Sequence, residues 1–406
     1  MNCTIKAHNV PLTGSIALSS SKSESNRALL INALGAGGIL KNLSDARDTQ
    51  TMHRLLSEQG ETWDVLDAGT TMRFCTAYLA IYGDNKTITG TDRMQQRPIR
   101  LLVDALNHIG ADIQYLNKIG YPPLRINKIQ DQISNRIDIP GNVSSQYISA
   151  LLMIAPILPH GLNIHLIGEI FSKPYIEMTL GLMKHFGVEH QWSSENVITI
   201  GPQTYTKASY TIESDWSGAS YWYSMVALQP GSQVLLQGLR EHSFQGDQEI
   251  VQIMNKLGVA TEYLGEGAEL THIGNPEKHL EWDFRTCPDL AQTVMVTAAL
   301  LGTELIMTGL ESLKIKETDR VAAMKNELCK LGATLTEEKN SWNMKPGIIP
   351  VDITTIETYE DHRMAMAFAP VGMIHNITIR DPEVVNKSYP TFWEHLAAVN
   401  IKLNMV

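Results

Sequence analysis

The chain has 406 residues, too many for one ordinary hydrophobic core, and a length that favours roughly two or three domains. Its 43% hydrophobic and 19% charged residues describe a soluble globular protein, and a formal net charge of −10 argues against a nucleic-acid or membrane-surface binder. An acidic protein that binds small anions must gather its cations locally, so clusters of Lys and Arg carry the information.

Residues 1–14 hold neither a basic n-region nor an apolar h-region, so no secretory signal is read and the cytoplasm is the expected location. The most apolar run, residues 147–158, is too short to span a bilayer. Cys3, Cys75, Cys287 and Cys329 are scattered without a C-x-x-C pair or metal-ligand spacing, which fits a reducing compartment and buried thiols.

The first apolar runs, residues 3–7 and 15–18, read as strands able to pair with later parts of the chain. Beyond them an internal repeat emerges. Smooth, charge-poor helices with a small or acidic start are predicted over 23–34, 69–81, 144–158, 215–228, 289–301 and 361–373, and their composition predicts burial nearly all round. Between them, amphipathic helices end in an apolar-x-x-x-Gly phrase at Gly60, Gly110, Gly187, Gly258 and Gly332, where a C-cap needs a left-handed residue. Short β-like runs follow, for example 188–192, 197–201 and 209–213, then 259–264, 269–273 and 279–284. The last copy ends in a helix over 392–399 with no sheet expected after it.

The spacing holds one anomaly. Between a capping glycine and the next buried helix lie residues 111–143, 188–214, 259–288 and 333–360, but after Gly60 only residues 61–68. One hairpin of the first unit is missing, leaving a single strand over 61–66 and predicting a truncated sheet. Six α/β units divide as three plus three into two similar domains, residues 21–212 and residues 1–20 with 213–406. Segments 18–21 and 211–214 are the expected crossings.

Charged groups collect near the helix starts. In residues 313–328, Lys316, Glu317, Asp319 and Arg320 crowd the mouth of an amphipathic helix, where the unpaired N–H groups and the dipole favour an anion. Lys316 and Arg320, four apart, would share a helical face and grip one anion, with Glu317 beside them for proton transfer. Ser21-Lys22-Ser23 opens the first buried helix, with Ser23 as N-cap and Lys22 just outside; the glycines of a P-loop are absent. Gly69-Thr70 starts the second buried helix and lets a ligand approach the backbone, although a turn explains it equally. Arg97 precedes a proline-initiated helix. Ser144, Ser145 and Gln146, then Ser172 and Tyr175, put hydroxyls and an amide at helix mouths, as ordinary caps also do. Asp289 opens another buried helix, as a cap or as a base near a substrate hydroxyl. Asp361-His362-Arg363 and Lys387 complete the series. Taken together, Lys22, Arg97, Lys316, Arg320, Arg363 and Lys387 against Asp289 and Glu317 point to small substrates carrying several negative charges.

The phrases Ser21-Lys22-Ser23 with Asn26-Arg27-Ala28-Leu29-Leu30, Ala68-Gly69-Thr70-Thr71-Met72-Arg73, Arg97-Pro98-Ile99, Ser144-Ser145-Gln146-Tyr147, Ser172-Lys173-Pro174-Tyr175, Lys316-Glu317-Thr318-Asp319-Arg320 and Asp361-His362-Arg363-Met364-Ala365-Met366, followed by Lys387, run through residues 21–387. In that order the chain resembles the 5-enolpyruvylshikimate-3-phosphate (EPSP) synthase family, the 3-phosphoshikimate 1-carboxyvinyltransferases of the shikimate pathway. The resemblance implies an α/β fold of two domains, each of three βαβαββ units in an inside-out barrel, with an active site in the cleft between them. It implies transfer of the enolpyruvyl group of phosphoenolpyruvate to the 5-hydroxyl of shikimate 3-phosphate, through a tetrahedral intermediate, with no metal or organic cofactor. It also implies a target of glyphosate and, as partners, small molecules rather than nucleic acid or membrane; a monomer is expected.

Carried over residue by residue, the resemblance assigns Lys22, Ser23, Arg27, Ser144, Ser145, Gln146, Ser172, Tyr175, Asp289 and Lys316 to shikimate 3-phosphate. Lys22, Gly69, Arg97, Gln146, Arg320, Arg363 and Lys387 fall to phosphoenolpyruvate. Asp289 takes the proton of the 5-hydroxyl, Glu317 serves the enolpyruvyl methylene, and Lys22 and Lys387 complete the catalytic set. The chain departs from the family pattern at Ser20, where glycine is usual, at Thr71, where alanine is common, and at Ser312, where asparagine is expected. A sister family acting on UDP-N-acetylglucosamine shares the reaction, but it carries a loop cysteine near the arginine matching Arg97, and here Gln95-Gln96 stand there. A ligand-binding protein without turnover and a bare repeat scaffold are the other readings; the intact Lys22, Asp289, Glu317 and Lys387 argue against them.

Overall fold

A computed structural model describes residues 1–58, 60–348 and 354–406; Gln59, inside the first recurrent phrase, and residues 349–353, inside the last inter-helix segment, lie outside them. The chain divides into two units, Ser20–Ile212 and Met1–Ser19 with Glu213–Val406, so Ser20 joins the middle unit.

In the unit Ser20–Ile212 the helices are α1 (Lys22–Ile31), α2 (Arg47–Ser57), α3 (Gly69–Tyr82), α4 (Arg100–His108), α5 (Ser145–Ile154) and α6 (Lys173–His185). The helix α3 packs against both α1 and α5, around a core that includes Leu30, Met72, Phe74, Leu151 and Met183. Burying helices of this composition drives assembly, at about 25 cal/mol for each Å² of apolar surface removed from water.

Two sheets of this unit have four strands. Each follows one rule: a strand closing the previous repeat lies parallel to the first strand of the next, and a hairpin then adds two antiparallel strands. Arg136–Pro140 thus runs parallel to Leu162–Ile167, which pairs antiparallel with Val197–Ile200, which pairs with Gln191–Ser194. Among the described residues the third sheet has only two strands, Ser209–Thr211 parallel to Ile39–Lys41. What it lacks is the hairpin pair, as the short 61–68 segment predicts. The strand that remains, Thr62–Asp64, closes its repeat normally by pairing parallel with Lys86–Thr89. Ile39 on the bare strand is 61% exposed.

In the unit Met1–Ser19 with Glu213–Val406 the helices are α7 (Trp216–Leu228), α8 (Ile250–Lys256), α9 (Ala291–Leu301), α10 (Arg320–Lys330), α11 (His362–Phe368) and α12 (Phe392–Ala398). All thirteen residues of α7 are buried, and α9 packs between α7 and α11. Its three sheets are all four-stranded. One takes in Thr13–Ala17 beside Gln233–Gln237. Another is completed by both ends of the chain: Asn2–Ile5 pairs antiparallel with Ile377–Arg380 on one side and with Leu403–Met405 on the other. The last repeat therefore does have a sheet after α12, contrary to the reading of the sequence. Leu403–Met405 is three residues long and too short to carry a β-period of its own.

Four of the five capping glycines take the left-handed conformation: Gly110, Gly187, Gly258 and Gly332. At the fifth, Gly60, there is no helix end to cap, because α2 already ends at Ser57 with Glu58 extended (φ −84°, ψ 144°). Cys3, Cys75 and Cys287 are buried as expected, whereas Cys329 on the outer face of α10 is exposed. No helix of the described residues is long and apolar enough to cross a membrane.

Candidate active site

The candidate residues fall into two groups, one in each unit. In Ser20–Ile212 they line the starts of α1, α3, α5 and α6. Ser21, rather than Ser23, caps α1, its side chain accepting from the Glu24 N–H at 3.4 Å; Lys22 is thereby the first helical residue. Lys22 Nζ lies 3.1 Å from Asp48 Oδ2. Asp48, near the start of α2, is 3% exposed, and its other oxygen has no hydrogen-bond partner among the described residues. The hydroxyl of Thr71, the residue that departs from alanine, donates to the Asp48 carbonyl (3.1 Å) and ties α3 to α2 at this point.

Arg27 is 2% exposed and joins three helices. Its Nε donates to Thr179 (2.7 Å), Nη1 to the Ser23 carbonyl (2.9 Å), and Nη2 to Ser149 (3.1 Å) and the Tyr175 carbonyl (3.4 Å). Burial pulls its pKa down to about 10, against the opposing pull of Tyr175 and Glu24. Its guanidinium lies over the rings of Phe74 and Tyr175.

Arg97 packs its guanidinium on Gly69: a Cβ at that position would stand 2.5 Å from Nη1. Only a residue without a side chain lets the arginine lie across the start of α3. Arg97 itself follows a short 3₁₀ turn, Met94–Gln96, and α4 begins at Arg100, so Pro98 does not initiate the helix. Instead the Pro98 carbonyl accepts from Arg73 (2.8 Å) and Tyr147 (2.6 Å). Ser144 caps α5, Ser145 is buried, and Gln146 Nε2 donates to Thr70 (3.0 Å), linking the starts of α5 and α3. Ser172 stands at the α6 N-cap position in the left-handed region (φ 53°), and its hydroxyl makes no capping bond. A non-glycine residue held there is strained, a feature that concentrates at functional sites.

In the other unit the charged candidates converge on one guanidinium. Asp319 caps α10, accepting from the Ala322 N–H (3.0 Å), so the helix starts at Arg320 and Lys316 lies outside it. The shared helical face inferred from their spacing does not exist. The two cations meet instead at Asp289 Oδ1, Arg320 Nη1 at 3.0 Å and Lys316 Nζ at 3.7 Å. Asp289 sits in a 3₁₀ turn, Pro288–Leu290, with no capping bond, and its Oδ2 accepts from Arg363 Nη2 (2.9 Å). Glu317 accepts from Arg320 Nη2 (2.9 Å) and lies 3.7 Å from Lys387 Nζ. Lys387 closes the 3₁₀ segment Pro382–Lys387. Of the six cations, Lys22, Arg320 and Arg363 occupy a first turn of an α-helix; Arg97, Lys316 and Lys387 do not.

Burial pushes Asp289 up, but Arg363, Lys316 and Arg320 together hold its carboxyl well below the usual range. Arg320, whose burial works the other way, is held charged by Asp361, Glu317 and Asp289. Behind Arg363 stand Tyr221 and Ser217, and Ser217 donates to Asp247, a buried carboxyl pushed up to about 7 by burial and then by Asp289. Asp48, Asp247, Ser217 and Asp361 carry no role that their sequence context signals. Asp48 and Asp247 are acids in polar stretches, and nothing local separates them from surface residues. Asp361 stood inside a recognised phrase and read only as a helix start. No cluster of three or more His, Cys, Asp or Glu able to hold a metal occurs among the described residues.

Two units of three repeats, with cationic side chains at helix starts in each, define the class of the enolpyruvyl-transferase fold. The EPSP synthase of Acinetobacter baumannii superposes with a TM-score of 0.82 at 21% identity over 99% of both chains. The enolpyruvyl transferase NikO of Streptomyces tendae gives 0.75 at 11% identity, over 99% of this chain and 98% of that one. The family model for EPSP synthase (3-phosphoshikimate 1-carboxyvinyltransferase) matches residues 6–67 and 60–396, the two segments meeting at the shortened repeat. A 3-phosphoshikimate 1-carboxyvinyltransferase of Bacteroides fragilis is 50% identical over 393 residues, 95% of each chain, and that of Vibrio vulnificus is 34% identical over 421, 96% of this chain and 97% of its own. The chain belongs to the EPSP synthase family, transferases of the shikimate pathway.

Proposed function

We propose that this chain transfers the enolpyruvyl group of phosphoenolpyruvate to the 5-hydroxyl of shikimate 3-phosphate and releases phosphate. The observation that carries the reading is the single guanidinium of Arg320 held by Asp289 and Glu317, with Arg363 and Lys387 on the same two carboxylates. Such a group offers cations to a phosphate and a carboxylate, and places two proton carriers beside them.

Phosphoenolpyruvate would draw Arg320, Arg363 and Lys387 onto its anionic groups, with Arg97, Gly69, Lys22 and Gln146 as its further ligands. Ser23, Arg27, Ser144, Ser145, Gln146, Ser172, Tyr175, Lys22 and Lys316 would hold shikimate 3-phosphate. The attacking 5-oxygen forms a bond to C2 while its proton goes to Asp289, and Glu317 protonates the C3 methylene. Elimination then breaks the C2–phosphate bond, Glu317 takes a C3 proton back, and the proton left on Asp289 departs with phosphate. Closing the site around both substrates excludes water and strengthens each ionic contact. A monomer in the cytoplasm, acting on small molecules and on neither nucleic acid nor membrane, completes the reading.

The test is phosphate release by purified protein with both substrates, beside an Asp289→Ala variant and a UDP-N-acetylglucosamine control. Release should require shikimate 3-phosphate and fall at least about 100-fold in the variant. Release with the nucleotide sugar alone would transfer the protein to the sister reaction.

A further inference from the structure

Arg320 divides its guanidinium among three carboxylates that are not equivalent. Asp289 and Glu317 are 14% and 15% exposed and take Nη1 and Nη2. Asp361 is fully buried; its Oδ2 accepts from Nε at 2.7 Å and its Oδ1 from Nη2 at 3.3 Å. The same Oδ1 caps α11 by accepting from the Arg363 N–H at 2.9 Å. One inaccessible carboxylate therefore touches the fork of one arginine and the first turn that carries the other.

We propose that Asp361 is the positioning residue of the anion-binding group, aiming Arg320 and Arg363 at one phosphoenolpyruvate; this rests on the proposed function above. A guanidinium is planar, so fixing its Nε edge fixes where Nη1 and Nη2 point. An incoming anion can displace Asp289 and Glu317, which reach solvent, but not Asp361, which does not. Arg320 thus keeps one partner through the cycle and exchanges two. Without that partner a charge 2% exposed would lose its permanent counter-ion and turn toward the remaining carboxylates.

Asp361→Asn and Asp361→Ser both retain a good N-cap for α11 while removing the charge that orients Arg320. The KM for phosphoenolpyruvate should rise at least about tenfold in either, with the KM for shikimate 3-phosphate within about twofold of the parent. Asp361→Glu, which restores the charge, should recover part of the loss. Equal weakening of both substrates, or an unchanged KM for phosphoenolpyruvate, overturns the assignment. Failure of both the Asn and Ser variants to fold also overturns it, since Asp361 would then serve stability alone. A parent protein that binds shikimate 3-phosphate and phosphoenolpyruvate without turnover defeats the proposed function instead; titration calorimetry of phosphoenolpyruvate into the variants then still decides the role of Asp361.

Discussion

Asp289 meets Arg320, Arg363 and Lys316 in this structure, and those contacts decide what it can do before substrate arrives. A carboxylate so surrounded is a poor base and, at the same time, a competitor for the cations that an incoming anion needs. Asp289→Asn should therefore bind inorganic phosphate or phosphoenolpyruvate about three- to tenfold more tightly than the parent, by titration calorimetry at low salt, even as turnover falls. Weaker or unchanged binding would show that the carboxylate helps hold the anion.

Asp247 behaves in the opposite sense. Its folded pKa, about 7, lies above that of an unfolded aspartate, so its contribution to stability is fully present below about pH 4 and is lost as pH rises through 7. Asp289, depressed, contributes above the unfolded value and loses that contribution in acid. The groups facing Asp247 are Asp289, Asp215, Arg363 and the Ser217 hydroxyl. Asp247→Asn imitates the protonated form, so its stability relative to the parent should improve by about 1–3 kcal/mol between pH 5 and pH 8 in urea unfolding. A difference that stays constant with pH would remove Asp247 from this account.

At the scale of elements, the two-stranded sheet is the chain's main departure from its own repeat. Among the described residues Ile39–Lys41 has an unpaired edge where the other first strands carry two further antiparallel strands, and Ile39 faces solvent. Exposed apolar edges template pairing between molecules. Ile39→Lys should leave the unfolding free energy in urea within about 0.5 kcal/mol of the parent and reduce light scattering on heating. Unchanged scattering would show that this edge is not where association begins.

The same elements show what a sequence displays. Gly110, Gly187, Gly258 and Gly332 were legible because a left-handed cap leaves a glycine at a fixed place, and the missing hairpin was legible as a missing length. The buried helices announced themselves by lacking charge. Helix starts were less legible: Asp319 as cap moves Lys316 out of α10, and Ser21 draws Lys22 in, because one capping bond decides which residue is helical. The partners of the site residues were not legible. Lys22 with Asp48 spans 26 residues, and Arg320 with Asp361 spans 41; no local pattern encodes contacts at such separation.

For the molecule as a whole, the acidic net charge and the cationic groups are reconciled by distribution. Lys316, Arg320, Arg363 and Lys387 face Asp289, Glu317 and Asp361, four against three, so the group is close to neutral until an anion takes the place of a carboxylate. The sheet built from both chain ends has a further effect, on the timing of biosynthesis. Asn2–Ile5 leaves the ribosome long before its two neighbours, Ile377–Arg380 and Leu403–Met405. The unit Ser20–Ile212 contains all of its own strand partners and can fold during translation. At roughly 5–20 residues per second, the opening strand then waits tens of seconds for its sheet, with Cys3 and Ile5 bare of the core they will enter. A segment made early is thus sheltered late, and this interval is when a nascent chain of this protein most needs a chaperone.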